Sequence, residues 1–184
     1  MKQRLQQEIE TVIGNDLKRP ITPKDLDELQ YCEAVIKEVH RHHPISFAIP
    51  RVNVERDEVG GIKWPEKTSF QMLYGAMMKS EKYWTDPEEF DPDRFYKVEE
   101  SDKYLLERQH LKDSFTIWGG GIRICPGRKL ATLEIKCLFS LIYRKYDIEI
   151  ANVDEPFKCR SGLLRVCTGL IANVKPRNKI IIHS

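Results

Sequence analysis

The sequence predicts a mainly helical protein with small antiparallel β-sheets, an α+β chain. Two observations carry that reading. Apolar residues recur at helical spacing over 3–13, 22–43 and 127–144. Short runs of strand-forming residues, separated by Gly, Pro and Asn, lie at 49–54, 68–73, 146–150, 164–167 and 170–174.

The first helix puts Leu5, Ile9 and Val12/Ile13 on one face, and Gly14 is placed to end it. Thr22-Pro-Lys-Asp25 has a Thr cap, a Pro in the first turn and an acid three residues on, so a second helix starts there. Its pattern continues through Leu29, Cys32, Ile36 and Val39, with a break near Glu28, and stops before Pro44. Ile49–Val54 and Thr68–Leu73 read as partner strands around the Gly60-Gly61 turn. Residues 81–117 are rich in Pro, Asp, Glu and aromatics and read as one long irregular stretch. In the helix over 127–144, Ala131, Ile135, Leu138 and Ile142 form one stripe, and Leu130, Leu133, Cys137 and Leu141 the next. Two adjoining stripes predict burial over much of its circumference.

Composition excludes several classes. With 41% hydrophobic and 32% charged residues in a chain of 184, the protein is neither disordered nor of low complexity. A net charge of +2, with basic and acidic residues interspersed, argues against a nucleic-acid partner. Five cysteines, an odd number without C-x-x-C spacing, argue against a disulfide framework and fit a reducing compartment. No apolar run is long enough to span a bilayer and no signal peptide opens the chain, so as written it is expected to be cytosolic.

The chemistry concentrates in Trp118-Gly-Gly-Gly-Ile-Arg123-Ile-Cys125-Pro-Gly127. Three glycines let the backbone turn tightly and approach a flat ligand. Cys125 directly precedes the long helix, whose free N–H groups favour a thiolate over a thiol. Pro126 is shaped for a first helical position. Arg123 is near enough to pair with an anionic cofactor group. A buried free cysteine opening a core helix has much the same look, and from these residues alone both readings stand.

The spacing of Trp118, Gly121, Arg123, Cys125 and Gly127 resembles the heme-ligand signature of the cytochrome P450 family, with Trp118 where that signature usually has Phe. Glu38-Val-His-Arg41 is similar to the family's Glu-x-x-Arg pair, and Phe90-Asp-Pro-Asp-Arg94-Phe95 to its Pro-Glu-Arg-Phe box, with Asp93 in place of Glu. The resemblance implies the C-terminal, heme-binding part of the P450 fold, of the fungal or eukaryotic microsomal type, over residues 1–184. It implies that Cys125 is the axial ligand of heme iron (iron protoporphyrin IX). Arg123 and Arg51 are implied to hold propionates, Trp118, Gly121 and Gly127 to shape the loop, and Glu38, Arg41 and Arg94 to form a buried ion cluster. Glu134 is taken as structural, and Phe47 and Ala48 are the candidates to touch substrate.

The implied activity is that of a heme-thiolate monooxygenase, inserting one atom of O2 into an apolar organic substrate with electrons from an NADPH-dependent reductase. Full-length relatives sit at the endoplasmic reticulum membrane. The N-terminal half, the anchor and the long central helix of the family have no counterpart here, so the chain is expected to be catalytically incomplete. The alternatives are a non-catalytic heme-binding or heme-sensing fragment and a redox-active thiol without metal. His40, His42 and His43 lack the further ligands of a zinc site and read as a solvated helix end, and His110 carries little weight as a heme ligand. No Ser-His-Asp set, P-loop or dinucleotide fingerprint stands out.

Overall fold

The structure is a computed structural model, and it describes residues 1–155, 158–162 and 164–177. In chain order the helices are α1 (Lys2–Ile13), α2 (Pro23–Glu28), α3 (Gln30–His42), α4 (Tyr74–Met77), α5 (Asp93–Tyr96), α6 (Leu105–Ser114) and α7 (Arg128–Lys145). The strands are β1 (Ile49–Val52), β2 (Asp57–Val59), β3 (Ile62–Trp64), β4 (Ser69–Met72), β5 (Tyr146–Ile150), β6 (Lys158–Ser161), β7 (Arg165–Gly169) and β8 (Ala172–Pro176). All the sheets among the described residues are antiparallel pairs: β1–β4, β2–β3, β5–β8 and β6–β7. The α+β class holds. Among the described residues no helix is long and apolar enough to cross a membrane.

The chain divides into two compact units. The first comprises 1–38, 91–96 and the segment from Pro126 onward. Its core is laid down by helical spacing: Leu5, Ile9 and Ile13 of α1 lie one turn apart and are all buried. Gly14, at φ 81°, ends α1 and donates its N–H to the Glu10 carbonyl. The capping box expected at Thr22 is present, and the Arg19 guanidinium, with the Thr22 N–H and hydroxyl, holds the Asp25 carboxyl well below the usual carboxylate range. The break expected near Glu28 falls at Leu29, which is fully buried and ends α2.

α3 is capped from another helix. The Glu8 carboxylate of α1 accepts the Tyr31 N–H at 2.6 Å and the Cys32 N–H at 2.8 Å, two of the donors that a helix start leaves open. Leu29, Cys32, Val35 and Ile36 then join the α1 stripe in one cluster, against which Ile135, Phe139 and Tyr143 of α7 pack. Burial, with the Glu8 charge nearby, pushes the Cys32 thiol up to about 12.

α7 corrects the sequence reading. Its buried residues are Lys136, Ser140 and Arg144, a polar stripe one turn apart, whereas Leu130, Leu133, Leu138 and Leu141 are exposed. Lys136 Nζ pairs with Glu33 at 2.6 Å and donates to the Leu26 carbonyl at 3.0 Å. Arg144 donates to the Asp16 and Arg19 carbonyls. The long stems of Lys and Arg cover apolar surface while their tips satisfy carbonyls in α2 and in the turn before it. At the chain's end β7 runs Arg165–Gly169 and pairs with β6, a strand without a clear alternation in the sequence.

The second unit comprises 39–90 and 97–125. β1 and β4 pair from Ile49↔Met72 to Val52↔Ser69, as expected, and enclose a further hairpin, β2–β3, turned at Gly60 and Gly61, both at positive φ. The stretch from 81 to 117 is not irregular throughout, for it contains α6. That helix lacks a clear apolar stripe, and its fully buried residues are Glu107 and Ser114. Glu107 accepts the Thr85 N–H at 2.9 Å and the Thr85 hydroxyl at 3.1 Å, which fastens α6 to the preceding loop.

Removing the cap on α3 tests the first unit. Glu8→Ala leaves two backbone N–H groups without their acceptor and is expected to cost about 2–4 kcal/mol in chemical denaturation; a variant as stable as the parent would show that water replaces the carboxylate. Cys32 provides a second check. At pH 8 an alkylating reagent is expected to label Cys125 and Cys167 and to leave Cys32 unmodified until the protein unfolds, as read by peptide mass mapping.

Candidate functional site

The cysteine loop is built within the second unit. Trp118 and Cys125 close it, the Cys125 N–H donating to the Trp118 carbonyl at 2.8 Å. Gly119, at φ 75°, turns the chain at one end, its N–H on the Thr116 carbonyl at 2.9 Å. Gly121, at φ 59°, opens a single 3₁₀ turn over Gly121–Arg123, which ends with the Ile124 N–H on the Gly121 carbonyl. A Cβ at Gly119 would sit 3.6 Å from the Ile49 side chain, ordinary contact, so the left-handed backbone rather than space calls for glycine. α7 begins at Arg128 with Gly127 as its N-cap, so Pro126 lies just before the cap and not at the first helical position.

Cys125 is half-buried and opens onto a cavity of about 330 Å³. The other walls are His40, Pro44, Ile45, Ser46, Ile49, Tyr74, Ile117 and Trp118. Mostly apolar, with a few polar groups among the lining, this is the usual make-up of a small-molecule or cofactor site. His40 is 9% exposed, its ring edge-on to Trp118 at 5.5 Å, and burial lowers its imidazole below the ordinary histidine range. Arg51 and Arg123 are not among the lining residues; Arg51 donates to the neighbouring Pro50 carbonyl, and Arg123 is exposed. Phe47 is also outside the lining; its ring lies over Gly75, where any Cβ would come within 2.4 Å of it.

The charged residues singled out in the sequence are fully buried. In the first unit Arg94 Nε meets Glu38 Oε1 at 3.2 Å, and the same oxygen accepts the Asp91 N–H at 2.8 Å. In the second, Arg41 donates to the carbonyls of Met78, Pro87 and Glu89 at 2.8–3.0 Å, with its guanidinium 5.4 Å from the Trp84 ring. Arg41 thus gathers the irregular 78–89 segment around one cation. Of the histidines, His42 contacts the Glu88 carbonyl and the His43 ring, and no group of three metal-ligating side chains exists among the described residues. His110 lies against Tyr83. Sequence reasoning missed His40, Ile49, Tyr74 and Ile117 as cavity walls, because no spacing relates them to Cys125.

A mainly helical α+β chain that turns one thiol toward an apolar cavity suits a protein holding its cofactor through sulfur. The family model for cytochrome P450 matches residues 1–171, and the chain belongs to the cytochrome P450 family. It is 35% identical to cytochrome P450 4d2 of Drosophila melanogaster over 96% of its length and 34% of that protein's. It is 36% identical to cytochrome P450 71B29 of Arabidopsis thaliana over 86% and 31%. It is 32% identical to a flavonoid 3',5'-hydroxylase of Eustoma exaltatum subsp. russellianum over 98% and 35%. The chain therefore spans about a third of the length of the curated relatives it matches. Heme is the cofactor of the family and of this chain, and the family's class is that of oxidoreductases acting as monooxygenases.

Glu38→Ala tests the buried charges. It leaves the Arg94 guanidinium buried without its carboxylate, and the expected loss is about 3–5 kcal/mol of stability. A melting temperature equal to that of the parent would show that the pair is replaced by water.

Proposed function

We propose that Cys125 supplies the thiolate that holds heme iron, and that the protein is a heme-thiolate monooxygenase acting on an apolar organic substrate. The observation that carries this reading is the position of Cys125. Its loop is closed by the Trp118 carbonyl and turned at two glycines that adopt left-handed backbone, and its thiol lines a cavity with mostly apolar walls. These residues fit a porphyrin: a sulfur donor, a loop free of bulky side chains at its turns, and apolar walls for a flat ring.

When bound, a thiolate-ligated heme activates dioxygen for transfer of one oxygen atom to a substrate. The chain's own residues do the holding. The Trp118 carbonyl fixes the Cys125 backbone, and Ile49, Ile117 and Pro44 present apolar surface in the cavity. Trp118, Gly121 and Gly127 shape the loop, while Arg123 and Arg51 are proposed to meet the propionates. Arg123 is exposed and has no described hydrogen-bond partner, so it is available for that role. Arg51 would have to leave the Pro50 carbonyl. Glu38, Arg41 and Arg94 are proposed to serve as buried structural charges. Electrons are proposed to come from an NADPH-dependent reductase, and the whole protein to work at the endoplasmic reticulum membrane. The printed name of the Eustoma relative, a hydroxylase, supports oxygen insertion as the reaction.

The reading is tested by loading the chain with hemin, reducing it and adding carbon monoxide. The long-wavelength absorption typical of thiolate ligation is expected, and Cys125→Ala is expected to abolish it. A spectrum like that of a histidine-ligated heme, unchanged by the substitution, would falsify the assignment.

A further inference from the structure

His40 stands between Glu38 and Arg41 on α3, yet it differs from both in what surrounds it. The ring is nine-tenths buried and meets Trp118 edge-on at 5.5 Å and 84°. It lines the same cavity as Cys125. No described residue hydrogen-bonds its nitrogens, and neither nitrogen is sealed from solvent. A buried ring that forgoes partners in the protein while lining a cavity has its N–H available to what the cavity holds.

Cys125 is the group in that cavity best served by such a donor. Its own N–H is on the Trp118 carbonyl, and Pro44, Ile45, Ile49 and Ile117 offer no donor from their side chains; Ser46 Oγ donates to the Ala48 carbonyl, and Tyr74 and Trp118 are the other walls with side-chain donors. The open N–H groups at the start of the following helix already favour the thiolate, and a donor on the side of the apolar walls stabilises it further. We propose that His40 is a positioning residue for Cys125, its ring N–H donating to the Cys125 sulfur when that sulfur holds heme iron. The inference rests on the heme-thiolate reading. Trp118 contacts both partners: its carbonyl fixes the Cys125 backbone and its ring meets the imidazole in a T-shaped pair. Because burial favours the neutral imidazole, the donor brings no second charge into the cavity. A donor to the ligating sulfur draws electron density from it and raises the midpoint potential of the iron.

The test compares the full 184-residue chain, loaded with hemin, in three forms. His40→Phe keeps an aromatic edge against Trp118 and has no N–H; His40→Gln restores a donor without the ring. The Phe variant is expected to show a lower ferric/ferrous midpoint potential and hemin binding weaker by about tenfold, the scale of one hydrogen bond to a charged acceptor. The Gln variant is expected to recover most of both. Equal potentials in all three forms overturn the proposal and leave His40 a packing residue. A loss in the Phe variant that Gln does not recover overturns it too, since ring shape would then matter and not the donor.

The underlying reading fails by a separate sign, a hemin spectrum that Cys125→Ala leaves unchanged. Should His40→Phe not fold, the unsubstituted chain decides. With ¹⁵N-labelled histidine and diamagnetic gallium protoporphyrin, the His40 ring N–H is expected to become slow to exchange with solvent on loading. Exchange as fast as in the unloaded chain overturns the proposal.

Discussion

A guanidinium group taken out of water must find acceptors for its donors, and much of this chain is arranged around that demand. Arg41 is fully buried, and three backbone carbonyls from 78–89 converge on it. That segment is mostly turn and coil, so its carbonyls are not committed to a helix or sheet. Cation and irregular backbone satisfy one another: the segment gives Arg41 acceptors, and Arg41 gives the segment a fixed shape. Glu38 does the converse for Arg94, accepting also the Asp91 N–H and so fixing the chain where α5 begins.

The same device recurs in the first unit. Lys136, Arg144 and Arg177 each end on a carbonyl that regular structure leaves open or only partly used: Leu26, Asp16 and Tyr143. Arg177 also reaches Glu10 at 2.6 Å. Much of the chain lies outside helices and sheets, and cationic side chains are the long, multi-donor groups able to serve carbonyls at a distance. This accounts for a helix, α7, whose buried residues are Lys, Ser and Arg while several of its leucines face outward.

The cysteine loop works on a shorter scale. Its hydrogen bonds join residues at most seven positions apart, and two glycines supply the left-handed backbone that the turns need. Rigidity in such a loop comes from its own closure, which suits a ligand atom that must be held in one orientation. The cavity in front of it is assembled from segments distant in sequence, at 40–49, 74 and 117–118, and its polar lining includes one buried imidazole.

What the sequence determined by itself was whatever depends on near neighbours. Leu5, Ile9 and Ile13 announce α1 by spacing, Thr22 and Asp25 announce a capped helix start, and Gly60-Gly61 announces a turn, because each feature is made within one turn of chain. The cysteine loop is local in the same sense, which is why its residues stand out and carry the family likeness. Tertiary structure decided the rest. Lys136 and Arg144 carry no local sign of their burial, since the groups that satisfy them lie more than a hundred residues away. α6 reads as coil, since its placement relies on a buried Glu107 that meets Thr85 and not on an apolar stripe. His40 reads as part of a solvated His-rich helix end, since its burial depends on Trp118, far along the chain. Periodicity records which residues avoid water on average; which polar group is taken inside is settled by a partner that only the folded chain brings near.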